Sequence, residues 1–267
     1  MADQASQDQA SNNQMKDKGT KDSWTKDSWT ITILYNNIAH DPQLQTDWGF
    51  AALIEGGGQT MLLDTGDKGA ILLNNMQALG VQPSAIDSLC FSHSHHDHTG
   101  GVDDLLDQGL ELTAYLPPSF SSTFQRKLAS RWTVVTTSQG GELGPGRFTT
   151  GEMGDNIREQ ALILRSRAGL VVITGCAHPG IVSIIRRADH LFQEPLHLVM
   201  GGFHLRDKNR AELQQIIAEF KRLGVQQVAP SHCTGEEAIA AFQDAYGKDF
   251  IPSGAGKTFS LAAHRGH

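Results

Sequence analysis

The chain has 267 residues, 39% of them hydrophobic, with a formal charge of −7. That length buries a core without disulfide staples. The acidic balance excludes a nucleic-acid partner, whose phosphates need a basic face. Cys90, Cys176 and Cys233 leave an odd thiol in any pairing scheme and show no close zinc-type spacing, so they read as reduced and packed, which points to the cytoplasm. No apolar run approaches a membrane span and the N-terminus lacks a signal-peptide pattern, so a soluble chain that starts as written, with no membrane partner, is expected.

Residues 1–30 are polar and contain the doubled KDSWTKDSWT. So few apolar groups cannot offset the entropy of ordering, and a disordered tail is expected there, with 31–267 as a single folded domain. From Ile31 short apolar runs read as strands: ITILY at 31–35, FAALIE at 50–55, TMLLD at 60–64 and SLCFS at 88–92. Between them Ile71, Leu72, Met76 and Leu79 form one helical face that stops at Gly80. The stretch 112–168 mixes LTAYL, WTVVTT and ALILRS with glycine-rich turns such as GGELGPG, which predicts hairpins over one edge of a sheet.

The second half then repeats strand, turn and helix three times, and each turn carries a histidine: His178, His204 and His232. The second of these helices presents Leu213, Ile216, Ile217, Phe220 and Leu223 and stops at Gly224. The third is predicted to open with Thr234 and Glu237 at capping-box spacing and to end near Gly247. In open α/β layers, ligands collect beyond the carboxyl ends of strands, where all these histidines lie.

The densest chemistry is FSHSHHDHTGG at 91–101. In an extended segment residues two apart face the same way, so His93 and His95 can converge on one ion while His96 points to the other side. Asp97 and His98, where the chain turns into the helix after Thr99, can address a second point, at the roughly 3.5 to 4 Å spacing of two-metal sites. A zinc-type site needs about three protein ligands and an open position. His178 completes the first set, and His232 joins Asp97 and His98. Such donors suit Zn, with Fe or Mn as alternatives, as one or two divalent ions.

With His93, His95, Asp97 and His98 in H-x-H-x-D-H order, and LLDTG at 62–66, the chain resembles the metallo-β-lactamase superfamily. The likeness runs from about Ile31 to Leu261. It implies an α/β (α+β) four-layer αβ/βα sandwich with two mixed β-sheets, the site in the crevice where they meet, and Asp64 supporting the metal loop from behind. GCAHPGI at 175–181, MGGFHL at 200–205 and PSHCTGEEAI at 230–239 look most like the branch named for ribofuranosylaminobenzene-phosphate (dihydropterin) synthase. Hydrolytic relatives such as the hydroxyacylglutathione hydrolases carry a metal-bridging aspartate where this chain reads GGFHL. Either His204 replaces it or the second position binds loosely, with Asp207 a weaker candidate bridge.

The function expected from these residues is a metal-dependent hydrolase that uses a hydroxide held by the metal on an ester, thioester or phosphoester-type small molecule. Asp97 would orient the nucleophile and His204 would protonate the leaving group. Rival readings are a phosphoribosyl-type transferase, for which Arg158, Arg206 and Lys257 are few cations, a mono-iron dioxygenase, and a binding protein that has lost turnover. SGAGKT at 253–258 lacks the leading glycine and trailing helix of a P-loop and reads as a turn into the last strand. His40, His190, His197, His264 and His267 have no partner pattern. Arg158 and Glu159 are placed in a loop lining the pocket by fold analogy, and Cys176, two residues before His178 in a turn, can face the same pocket as a zinc-binding thiolate, though packing is the commoner role for an unpaired cysteine.

Overall fold

Trp29, Ile31 and Ile33 alternate along one face of the first strand and are at most 3% exposed, so the folded body starts inside the doubled KDSWT rather than after it. The protein is described here by a computed structural model covering residues 28–261. The tail expected to be disordered over 1–30 therefore lies outside the described residues except for Ser28 to Thr30, and so do His264 and His267. Trp29 is anchored: its indole Nε1 donates to the Arg165 carbonyl at 2.9 Å, and the Arg147 guanidinium lies 4.8 Å from its ring centroid. A Trp-Thr-Ile-Thr-Ile alternation is a strand signal that polar flanks obscure.

Chain order in the first half is β1 (Trp29–Asn36), β2 (Phe50–Gly56), β3 (Gln59–Leu63), α1 (Gly69–Ala78), β4 (Ser88–Cys90), α2 (His96–Thr99), α3 (Val102–Asp107), β5 (Thr113–Leu116), α4 (Ser122–Ala129) and β6 (Thr133–Thr136). Then follow β7 (Gly141–Gly144), β8 (Arg147–Thr149), β9 (Leu162–Ser166), β10 (Gly169–Thr174), α5 (Ile181–Phe192), β11 (Leu196–Gly202), α6 (Arg210–Arg222), β12 (Gln227–Ser231), α7 (Glu236–Tyr246) and β13 (Thr258–Leu261). They form a seven-stranded sheet in the order β13-β1-β2-β3-β4-β5-β6 and a six-stranded sheet in the order β12-β11-β10-β9-β8-β7. Both are mixed: β3 to β6 run parallel, as do β10 to β12, and the remaining pairs are antiparallel.

Each sheet is apolar on both faces because each is covered twice. Ile31, Ile54, Met61 and Leu63 of the first sheet meet Leu162, Leu164, Val171 and Leu198 of the second in a common core. Leu62, Leu89 and Ala114 pack outward with Leu72, Leu105 and Leu128 of α1, α3 and α4, while Val172 and Val199 pack with Ile184, Phe220 and Phe242 of α5, α6 and α7. The result is the expected helix-sheet-sheet-helix sandwich.

Two sequence expectations need correction. The middle of the chain does not stay on one edge: β5 and β6 continue the first sheet in parallel, and only β7 to β9 form the antiparallel meander at the edge of the second. No capping box opens α7, whose N-cap is Gly235 without a side-chain bond. Thr234 Oγ1 instead donates to Ser231 O at 2.6 Å and accepts from Phe203 N at 3.1 Å, tying β12 to the end of β11. The capping box in this region is Asn209 with Glu212 at the start of α6.

α5 ends on Gln193 in the left-handed region, φ 53°. An exposed non-glycine residue there costs roughly 1 kcal/mol. Gln193→Gly is accordingly expected to raise the thermal midpoint by about 2 to 4 °C, as read by scanning calorimetry.

Candidate metal centre

The parallel strands of both sheets deliver their carboxyl ends to one crevice. β3 leads into Asp64, β4 feeds the loop 91–95, and β10, β11 and β12 lead into Cys176 to His178, His204 and His232. Among the described residues, four of the five non-glycine residues with positive φ fall here: Asp64 (57°), Ala177 (62°), His204 (52°) and His232 (53°). Left-handed backbone at non-glycine positions is costly, and it clusters where a site dictates the chain path. Glycines make the close approach feasible. A Cβ on Gly175 would lie 2.1 Å from Ser92 Oγ, and one on Gly202 would lie 2.3 Å from Gly175 O and 2.7 Å from Cys233 Sγ.

His93, His95 and His178 form a near-equilateral triangle, each pair of ring centroids 4.7 Å apart. His98 and His232 face each other at 5.1 Å, with Asp97 Oδ2 3.6 Å from His98 Nε2 and 3.4 Å from His232 Nε2. The two groups adjoin, since the His93 and His98 centroids are 4.2 Å apart. His96 points away, its side chain 77% exposed near Asp67. Asp97 and His98 sit within α2, which starts at His96 and not after Thr99.

Proton positions follow from the partners behind these rings. Asp64 is fully buried; its Oδ1 accepts from Ser92 N at 2.7 Å, and its Oδ2 accepts from Ser92 Oγ at 2.6 Å and from His98 Nδ1 at 2.7 Å. Ser92 Oγ, having given its proton to Asp64, accepts from His93 Nδ1 at 2.9 Å. Asn37 Oδ1 accepts from His232 Nδ1 at 3.1 Å. With Nδ1 carrying the proton in His93 and His232, Nε2 is the nitrogen whose lone pair is left for coordination. The Nε2 atoms of His93, His178 and His232 are buried without a hydrogen-bond partner among the described residues. Unpartnered buried polar atoms are costly, and a divalent ion is the group that this nitrogen, oxygen and sulfur donor set fits.

Electrostatics agrees. Burial, with the neighbouring imidazoles, holds His93 well below the usual histidine range and His178 down to about 3, so both rings are neutral and able to coordinate. His98 differs: burial alone would lower it as well, but the Asp64 carboxylate overrides it and raises the ring to about 9, so in the metal-free protein it holds a second proton on Nε2 that an ion would have to displace. Burial raises Asp97, but the neighbouring His232 and His98 rings outweigh it and hold the carboxyl low.

Glu159 does not line the pocket wall. It is fully buried beneath the His178 turn, accepting from Cys176 N and Ala177 N at 2.9 Å and from His178 N at 2.8 Å. Cys176 is not a mere packing residue either, because its Sγ lies 3.3 Å from His98 Nε2. His204 is exposed; its ring is 4.3 Å from that of His178, and its donor atom groups with the Cys176 and Cys233 thiols. Asp207 is exposed and belongs to no donor group among the described residues. Ser92, Asn37 and Glu159 are positioning residues that motif spacing does not reveal, since each has a partner in another segment: Asp64, His232 and the His178 turn.

A family model for the metallo-beta-lactamase superfamily matches residues 49–215, more than half the chain. The chain belongs to the metallo-beta-lactamase superfamily. It is 29% identical over 261 residues to 7,8-dihydropterin-6-methyl-4-(beta-D-ribofuranosyl)-aminobenzene-5'-phosphate synthase of Methanocaldococcus jannaschii, covering 78% of this chain and 88% of that one. Among solved structures it is similar to Tm1679, described as a metal-dependent hydrolase of the beta-lactamase superfamily. That likeness has 27% identity and TM-score 0.74, over 86% of this chain and 98% of that one. The fold also matches YhfI of Bacillus subtilis, at 14% identity and TM-score 0.65, over 87% of this chain and 99% of that one. No helix of the described residues is long and apolar enough to cross a membrane.

Proposed function

We propose that this protein is a metal-dependent hydrolase acting on a small anionic ester, thioester or phosphoester, free of nucleic-acid and membrane partners. The convergence of two donor groups in which the Nε2 atoms of His93, His178 and His232 are buried and unpartnered among the described residues carries this reading. The metal-dependent hydrolase Tm1679, at 27% identity, supports it. Three buried free cysteines suit a reducing, cytoplasmic setting.

His93, His95 and His178 would hold one ion and Asp97, His98 and His232 a second. Zinc, iron or manganese bound there would supply Lewis acidity toward water and toward a carbonyl or phosphoryl oxygen. Asp97, kept ionised and 15% exposed, would accept a hydrogen bond from an attacking water and aim it. His204 stands at the rim, where hydrogen bonding with Cys233 raises it above the usual histidine range, so it can hand a proton to a leaving group. Beside His232 opens a cavity of about 520 Å³ lined also by Asn37, Arg206 and Glu236. Trp48 flanks it: its ring lies 4.8 Å from that of His232 and 4.7 Å from the Arg206 guanidinium. Arg206 is the cation poised to take a substrate anion.

Elemental analysis of the purified protein should find about one to two divalent ions per chain, and hydrolysis of a panel of anionic esters and phosphodiesters should stop on chelation. Metal-free protein with intact turnover would sink the reading. Arg206→Ala should raise KM for anionic substrates about ten- to hundred-fold with kcat little changed, the loss of a charge-assisted hydrogen bond.

The second reading, a phosphoribosyl-type transferase, is favoured by the 29% identical synthase. Against it, Arg206 is the one cation among the residues lining the cavity, and Arg158 is ion-paired with Glu152 at 3.0 Å. Pyrophosphate release from a phosphoribosyl donor, without ester hydrolysis, would reverse the preference. Iron with thiol-dependent oxygen uptake would point to the dioxygenase instead.

A further inference from the structure

We propose that Cys176 is a metal ligand whose thiolate lies between the two donor groups and is shared by both ions. The inference rests on the metal-centre reading above and supplies the bridging group for which neither His204 nor Asp207 is placed.

The sulfur is the atom the groups have in common. Cys176 Sγ lies within 4.8 Å of the donor atoms of Asp97, His98 and His232, and equally within 4.8 Å of those of His93 and His178. Its 3.3 Å separation from His98 Nε2 is close to the roughly 3.5 Å between a sulfur and a nitrogen sharing one tetrahedral ion. A second, independent observation points to the same place. The Nε2 atoms of His93 and His232, one from each group and both in side chains without solvent exposure, are buried there with no hydrogen-bond partner among the described residues.

The backbone fixes this direction. Cys176 N is held by Glu159 Oε1, Ala177 takes φ 62°, and Gly202 clears the space behind, where a Cβ would lie 3.2 Å from Cys176 Cα. Cys233 is differently placed: it groups only with Cys176 and His204, outside both nitrogen sets. Binding exchanges the S–H bond for sulfur–metal bonds, the proton leaves to solvent, and no oxidation state changes.

The test is the full-length chain loaded with Co(II), followed by absorption spectroscopy and cobalt stoichiometry. Wild type should show a near-ultraviolet thiolate-to-cobalt charge-transfer band that persists in Cys233→Ser and disappears in Cys176→Ser and Cys176→Ala. Cobalt should bind at least about ten-fold more weakly in both Cys176 variants, the minimum seen even for loss of an outer partner. Cobalt bound by wild type without the band overturns this proposal alone, whereas no cobalt binding at all overturns the metal-centre reading with it. A band lost in Cys233→Ser and kept in Cys176→Ser would assign the ligand to the wrong cysteine here. A Cys176–Cys233 disulfide whose reduction brings no band would make the pair a redox device instead.

Discussion

Asp64→Asn is expected to weaken metal binding about ten- to hundred-fold and to destabilise the metal-free fold by about 3 kcal/mol, with activity falling in step with metal occupancy. Asp64 oxygens accept three hydrogen bonds, from Ser92 N, Ser92 Oγ and His98 Nδ1, all at 2.6 to 2.7 Å and all buried. An amide presents one acceptor and one donor to a site that requires two acceptors. Whichever way it turns, an N–H faces an N–H or O–H, and the Ser92 hydroxyl can no longer be relied on to accept from His93. One substitution thus disturbs the proton order of His93 and His98 together, one ring in each donor group. Isothermal titration with zinc, paired with a urea melt of the metal-free protein, separates the two effects. Unchanged affinity would remove Asp64 from the site's support.

The same ion pair predicts a pH dependence. His98 has a folded-state value of about 9 against an ordinary 6.5. A raised value means stability that is fully present below 6.5 and lost as pH rises through 9, an effect of about 3 kcal/mol. Glu159, which burial raises to about 7 against three opposing backbone bonds, has nearly completed its own change by about pH 8. Between about pH 8 and 9, therefore, the metal-free protein should lose stability through His98. Asp64→Asn should flatten that slope, and so should metal loading, because coordination at Nε2 already excludes the second proton.

What the sequence made legible was whatever is written locally. H-x-H-x-D-H is read from side-chain period and spacing, and the strand-end positions of His178, His204 and His232 follow from the alternation of apolar runs with helices. The sandwich is legible for the same reason, since both sheets have strands apolar enough to be covered on two faces. Contacts between distant segments were not legible. Asn37 reaches His232 and Glu159 reaches the His178 turn across 195 and 19 residues, and neither belongs to a motif. Thr234 and Glu237 had capping-box spacing, but tertiary demand at Phe203 N claimed the hydroxyl. Spacing alone leaves open whether Cys176 faces the pocket or packs, because its direction depends on the left-handed turn at Ala177.

That turn carries the second large effect. Glu159→Gln is expected to lower the thermal midpoint by roughly 5 to 10 °C, equivalent to about 2 to 3 kcal/mol, and to reduce retained metal, while Glu159→Ala should do more. Glu159 Oε1 accepts from Cys176 N and Ala177 N, and Oε2 accepts from His178 N, with the whole carboxylate buried. Glutamine can keep the first two bonds, but its amide nitrogen then meets the His178 N–H donor to donor, leaving at least one buried N–H unsatisfied. Three consecutive N–H groups converging on one carboxylate are also what holds Ala177 at φ 62°, against its intrinsic preference. Released, the turn would relax toward ordinary φ and carry Cys176 and His178 out of register with His93 and His98. The stability loss should therefore come with a loss of metal that Asp207→Asn, on the exposed side of the site, does not produce. Elemental analysis of variants matched for folded fraction by circular dichroism would decide it: full metal content in Glu159→Gln would make Glu159 a residue of the fold alone.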